Sequence, residues 1–165
     1  MIVVSDTSPL SSLAIVGYIS LLRDIYNTVI IPEAVANELA NTSDEDERVT
    51  AVLSLDWIEI RQATNQEVVT RLKNEQRLDL GESEAIALAL ELNADELLID
   101  ERLGRREATK LGVPITGLLG ILLVAKHRGL IPIVKPIIDD LMNEAGFRVT
   151  TQLYTEILNA AGEYE

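Results

Sequence analysis

Cysteine is absent from this 165-residue chain, which removes disulfides and thiolate metal centres from consideration and is compatible with a reducing compartment. A single histidine, His127, excludes sites that need several imidazoles. Aromatic residues make up only 4%, so the apolar stock is Leu, Ile, Val and Ala, a mix that suits helices packed on a parallel sheet. No apolar run approaches the roughly 20 residues of a membrane helix; GLLGILLVA stops at Lys126. The opening MIVVSDTS has neither a basic segment nor a cleavage site, so no signal peptide is expected and a cytoplasmic location is the default. Basic charge is short as well, and the formal net charge is −13. That argues against a general nucleic-acid binder, which needs a basic face to replace phosphate counterions. It is less damaging to a protein whose bound cations invert the local field, and it also fits a basic partner.

What is present points to one domain, since domains cluster around roughly 100–150 residues. At 47% hydrophobic residues the chain has ample material for a core. IVVS reads as a buried strand, and DTSPL follows with Ser8 as helix cap and Pro9 at the first helical position. A second helix is expected over Ile19 to Ile25. TVII repeats the strand, with Pro32 opening the next helix. TSDEDER reads as a polar loop or a capped helix start, Trp57 to Ile60 as a strand, and Asn65 to Gln76 as an amphipathic helix. LDLGESEAIALALELNA is the strongest helix and is apolar nearly all round after Glu84, so it belongs in the middle of the fold. DELLID is a strand ending in acid, followed by a helix that Gly112 stops; VPIT is a strand; and GLLGILLVAKHRG is a helix closed by Gly129. From about residue 130 the chain is a helical extension of the same domain with a break near Gly146 to Val149. Strands separated by helices imply an α/β fold with a central, mostly parallel sheet, in which sites lie beyond the carboxyl ends of the strands.

Asp6 stands directly after the first strand, Asp100 and Glu101 directly after LLI, and Thr116 ends VPIT. Each acid alone could cap the following helix; acids at two strand ends favour a shared site. Glu82 and Glu84 open the buried helix and, two residues apart, point to different sides. Because everything after Glu84 is apolar, a carboxylate there is costly unless paired or bound to a cation. Glu84 is therefore the preferred ligand and Glu82 the alternative. Glu38, on the helix after TVII, would alone read as a surface acid. Carboxylates without His or Cys form a hard-oxygen set suited to Mg²⁺ or Mn²⁺.

With these residues in view, the sequence resembles the PIN-domain superfamily, the fold of many toxin ribonucleases in bacterial and archaeal toxin–antitoxin pairs. The likeness is to a prokaryotic branch marked by DTSPL (Asp6 to Leu10), GESEAI (Gly81 to Ile86) and LLIDERLGR (Leu97 to Arg105), with IPEAVANEL similar to the second family motif. The resemblance implies a three-layer PIN-like fold and a metal-dependent endoribonuclease that cleaves RNA. It also implies a cognate antitoxin partner and a homodimer. It makes Asp6, Glu38, Glu84 and Asp100 the acidic quartet, with Glu101 the alternative to Asp100 and Ser8 the polar support of the first aspartate. Where this branch often reads GTLG the chain has GLLG, with Thr116 just before it. Arg102, Arg105, Arg106 and Lys110 form the dense basic stretch near the proposed site and could hold substrate phosphates or pair with acids such as Glu107. Arg148 is a weaker phosphate candidate, and His127 is a partner for a helix C-terminus. A non-catalytic PIN-like interaction module is the alternative function. A phosphatase with a strand-end nucleophile would want a second aspartate close behind the first, which DTSPL lacks.

Overall fold

The computed structural model describes residues 1–42 and 46–163. Ser43, Asp44 and Glu45 of the TSDEDER run lie outside them. In chain order the elements are β1 (Val3–Ser5), α1 (Thr7–Ile15), α2 (Ser20–Tyr26), β2 (Val29–Pro32), α3 (Glu33–Ala40), α4 (Glu47–Thr50) and β3 (Ile58–Arg61). They continue with α5 (Gln66–Glu75), α6 (Leu80–Leu92), β4 (Glu96–Leu98), α7 (Arg102–Lys110), β5 (Ile115–Thr116), α8 (Leu118–His127), α9 (Lys135–Glu144) and α10 (Thr151–Ala160).

The strands form one sheet in the order β3-β2-β1-β4-β5, and every pairing is parallel, not merely most. Strand side chains alternate between faces, and here both faces are covered. Val3, Val29, Ile31 and Leu98 join a core with α1, α2, α8 and α9, whereas Val4, Ile30, Leu97 and Ile99 join a second core with α5, α6 and α7. This is why the central strands β1 and β2 read as apolar runs, whereas the edge strand β3, Ile-Glu-Ile-Arg, is largely exposed. Helix α6 supplies the second core from Ala85 to Ala89, all buried. Val134, Ile137, Ile138 and Leu141 tie α9 into the first core, and Leu158 of α10 joins it. Among the described residues no helix is long and apolar enough to cross a membrane.

The chain runs outward from β1 to β2 and β3, then returns to lay β4 on the other side of β1. The β1–β4 seam is therefore the topological switch point, where the carboxyl ends of parallel strands leave a crevice. One local expectation fails nearby. Helix α1 starts at Thr7 with Asp6 in the capping position, so Ser8 is an exposed second helical residue and Pro9 the third. Pro9 is tolerated there because first-turn amides have no intrahelical acceptor to lose.

Candidate metal centre

The switch point brings Asp6 and Asp100 together. The register pairs Ser5 with Leu98, and the Asp6 amide donates to the Leu98 carbonyl at 2.9 Å. Asp6 is only 4% exposed. Burial foremost, with the charges of Asp79, Glu38 and Asp100 adding to it, pushes its carboxyl up to about 7 against the pull of the Thr7 amide. Asp100 is also raised by burial, while the Leu118 amide and the Arg105 guanidinium hold it down. Its Oδ1 accepts from the Leu118 amide at 3.0 Å at the start of α8. Its Oδ2 is buried and has no hydrogen-bond partner among the described residues.

Two helices complete the acidic group. On α3, Glu38 accepts from the Thr7 hydroxyl at 2.6 Å. Burial raises its carboxyl and Asp79 adds to the rise, while Thr7 and the Gly81 amide oppose it. At the start of α6, Asp79 and Glu82 form a reciprocal cap: Asp79 Oδ1 accepts from the Glu82 amide at 2.8 Å, and Glu82 Oε2 from the Asp79 amide at 3.3 Å. Burial, then Asp79 and Asp6, push the Glu82 carboxyl up to about 7, with Glu101 contributing. A reciprocal cap would normally settle such a glutamate; here repulsion from its neighbours competes with it.

Two glycines make this crowding possible. A Cβ on Gly81 would overlap Glu38 Oε1, and one on Gly117 would lie 2.7 Å from an Arg105 Nη and 2.8 Å from Asp100 Oδ1. The glycines before GESEAI's glutamates and before LLG are thus spaces for carboxylates, not hinges.

Glu84, preferred from the sequence, goes elsewhere. Its Oε1 accepts from the Ala34 amide at 3.0 Å, serving the first turn of α3, which has no side-chain cap of its own. Of the two glutamates, Glu82 is the one in the field of Asp6. Glu101 is exposed at the cap position of α7, within the field that reaches Glu82. Asp79 escaped the sequence reading, although an aspartate three residues before a glutamate at a helix start is the signature of a reciprocal cap.

The basic stretch divides. Arg106 and Lys110 both pair with the buried Glu107, at 3.2 and 3.3 Å. Arg105 donates to the Ile99 carbonyl at 2.9 Å and faces Asp100. Arg102 is exposed beside Glu101, without a carboxylate partner among the described residues. The Thr116 hydroxyl turns to Glu96 at 3.2 Å, which Tyr26 also engages at 2.8 Å, so it supports the sheet face. Ser8 lines a polar groove with Asp100 and Glu101. His127 sits in the last turn of α8.

Such a layout defines a class: a three-layer α/β domain with an acidic centre at the carboxyl edge of its sheet. The chain belongs to the PIN-domain family, since the family model DUF3368, a PIN domain, matches residues 2–163. No curated protein and no solved structure is similar enough to match. PIN domains are in general nucleases, which typically use divalent metals such as Mg²⁺ or Mn²⁺.

The residues present fit such an ion. All donors are hard carboxylate oxygens, and the orphaned Asp100 Oδ2 and the desolvated Asp6 carboxyl both lack the compensation that a cation supplies. As they stand, no three acids among the described residues converge into a ligand set. The fit is therefore one of donor chemistry and of an unpartnered buried atom.

Proposed function

We propose that this PIN domain is a metal-dependent endoribonuclease and the toxin component of a toxin–antitoxin pair. Asp6, Glu82 and Asp100 would hold Mg²⁺ or Mn²⁺, with Glu38 beside them and Glu101 at the rim. The observation that carries this reading is Asp6, a nearly inaccessible carboxylate within the electrostatic field of three other acids. Without a cation, that placement only costs free energy. The bound ion supplies Lewis acidity and charge neutralisation for an in-line displacement at phosphorus. The chain's own contribution is to hold the acids in place. Thr7 fixes Glu38, the Asp79 cap fixes Glu82, and the Leu118 amide fixes Asp100. Ser8, Arg102 and Arg105 stand on the substrate side.

RNA as substrate rests on the family resemblance. The net charge of −13 suits a basic antitoxin segment. Exposed Leu130, Ile133 and Met142 give the C-terminal helical region apolar surface for a homodimer. The cytoplasm is the expected site of action.

The test is cleavage of single-stranded RNA by the purified protein in Mn²⁺, in Mg²⁺ and in EDTA, beside Asp6→Ala. Metal-dependent cleavage that Asp6→Ala abolishes is the expected result; activity that persists in EDTA or in the variant overturns the reading. A second reading is a non-catalytic PIN-fold interaction module, supported by the net charge of −13 and by GLLG standing where this branch often has the hydroxyl of GTLG. Calorimetric titration with Mn²⁺ separates the two, because only the nuclease requires the ion.

A further inference from the structure

The segment joining α9 to α10 has no role in the acidic centre, yet it borders it. Phe147, the only phenylalanine in the chain, and the exposed Arg148 both line two grooves that meet at Asp100. One groove is polar and includes Ser8 and Glu101. The other, about 580 Å³, has an apolar wall of Ile115, Leu119, Val124, Leu153 and Ile157, and includes Arg105. Arg148 has no carboxylate partner among the described residues, although acids outnumber bases 27 to 14 in this chain.

An aromatic ring, an apolar wall and two guanidinium groups beside the buried Asp100 carboxylate match a particular ligand shape. An unpaired nucleotide offers a flat apolar face and an anion a few bonds apart. A purely apolar protein helix would fill the wall and leave Arg148 without a counter-charge, whereas Arg105 already faces Asp100. We propose that Phe147 and Arg148 form a nucleotide-binding subsite for single-stranded RNA, with a base stacked on Phe147 and its phosphate held by Arg148 and Arg105. The proposal rests on the nuclease reading and deepens it by assigning to Phe147 and Arg148 the contact with an unpaired nucleotide beside the cut. Bases in a duplex are already stacked and cannot reach such a ring.

The experiment measures binding of a short fluorescein-labelled single-stranded oligoribonucleotide by anisotropy in EDTA, with cleavage in Mn²⁺ followed separately. Phe147→Leu should weaken binding about fivefold or more, the lower end of one lost base–aromatic stack, and Phe147→Trp should restore it. Arg148→Gln should lower the slope of log affinity against log salt by about 0.7, the value for one phosphate contact to a single strand. Arg71→Gln changes the charge equally from α5, on the opposite layer, and should leave the slope unchanged. Thermal melts check Phe147→Leu, whose ring packs on the core; Arg148→Gln alters an exposed side chain and keeps the test open if the first variant is unstable. Phe147→Leu binding as wild type, or Arg148→Gln matching Arg71→Gln, overturns the subsite. Wild type that binds RNA but does not cut it overturns the nuclease reading while the variants still decide the subsite. Wild type that binds no RNA in EDTA overturns the subsite, and wild type that neither binds nor cuts RNA overturns both.

Discussion

Replacing Asp6 by asparagine is expected to make the metal-free protein more stable while abolishing its activity. Asp6 is 4% exposed, and burial lifts its carboxyl from 3.8 to about 7. Between those values the folded protein holds a proton that the unfolded chain has released. Stability is therefore fully present below 3.8 and is lost as the pH rises toward 7, above which the loss is complete. At about 1.36 kcal/mol per pH unit, the whole interval is worth roughly 4 kcal/mol, of which about 2 kcal/mol falls above pH 5.5. Asparagine has nearly the same shape and does not titrate.

Urea denaturation in EDTA at about pH 5.5 and about pH 8, on wild type and Asp6→Asn, reads the difference directly. Wild type should lose about 2 kcal/mol more than the variant across that range, and the variant should be the more stable protein at the upper pH by roughly 2–4 kcal/mol. Glu82 titrates with the same sign, and because the Asp6 charge helps to raise it, its shift shrinks in the variant and widens the difference in the same direction. Adding Mn²⁺ should stabilise wild type and leave the variant unchanged, because only a folded state that binds the ion gains from it. A variant no more stable than wild type at about pH 8, with the same pH dependence, would refute the claim that Asp6 is a desolvated charge awaiting a cation.

Gly81→Ala should leave stability within about 1 kcal/mol of wild type, since alanine favours the helix and the atom it meets is the movable end of Glu38. Cleavage should nevertheless fall about tenfold or more as that carboxylate swings away, a displacement worth about 1.4 kcal/mol in the barrier; full activity would show that the position of Glu38 is immaterial. Calorimetry should find Mn²⁺ affinity reduced by Glu82→Ala and unchanged by Glu84→Ala. Chemical denaturation should find the latter about 1 kcal/mol less stable through the lost contact to Ala34, and the reverse pattern would return Glu84 to the ligand set. Glu163→Gln should cost about 1.5–3 kcal/mol in denaturation, because its carboxylate accepts from the Val134 and Lys135 amides and the Lys126 ammonium at 2.7–3.0 Å. Burial works against the Glu163 charge, yet those donors hold its carboxyl below the ordinary 4.5. Its contribution should therefore be present above 4.5 and be lost as the pH falls through the depressed value, a loss that the variant should not show in acid titration.

The layered fold was legible because its signals are local. Two-sided burial makes β1, β2 and β4 read as unbroken Val, Ile and Leu, and the apolar run after Glu84 marks a helix enclosed on most sides. Gly112 and Gly129, with φ of +79° and +76°, end α7 and α8 where expected. The start of α1 was misplaced by two residues, because Asp6 and Ser8 are both good capping residues and proline is permitted anywhere in a first turn. Asp6 and Asp100 could be paired in advance because their positions depend only on strand ends and sheet order.

The glutamates could not, and the reason is geometric. Two residues along a helix turn the side chain by roughly 200°, so Glu82 and Glu84 must face opposite ways, and the sequence of α6 alone does not say which way the site lies. What decides it is where α3 packs against α6. The first turn of α3 presents the unpaired Ala34 amide to Glu84, while Glu38, one further turn along α3, lies against Gly81 on the side of Asp79 and Glu82. A carboxylate at Glu84 does need a partner for its charge, and it has one in the Ala34 amide. A backbone amide fills that requirement as well as a cation does, and only the tertiary contact distinguishes them. Asp6 differs because its partners are three more acids and one amide. Its charge is therefore offset either by a proton, held up to about pH 7, or by the cation proposed above.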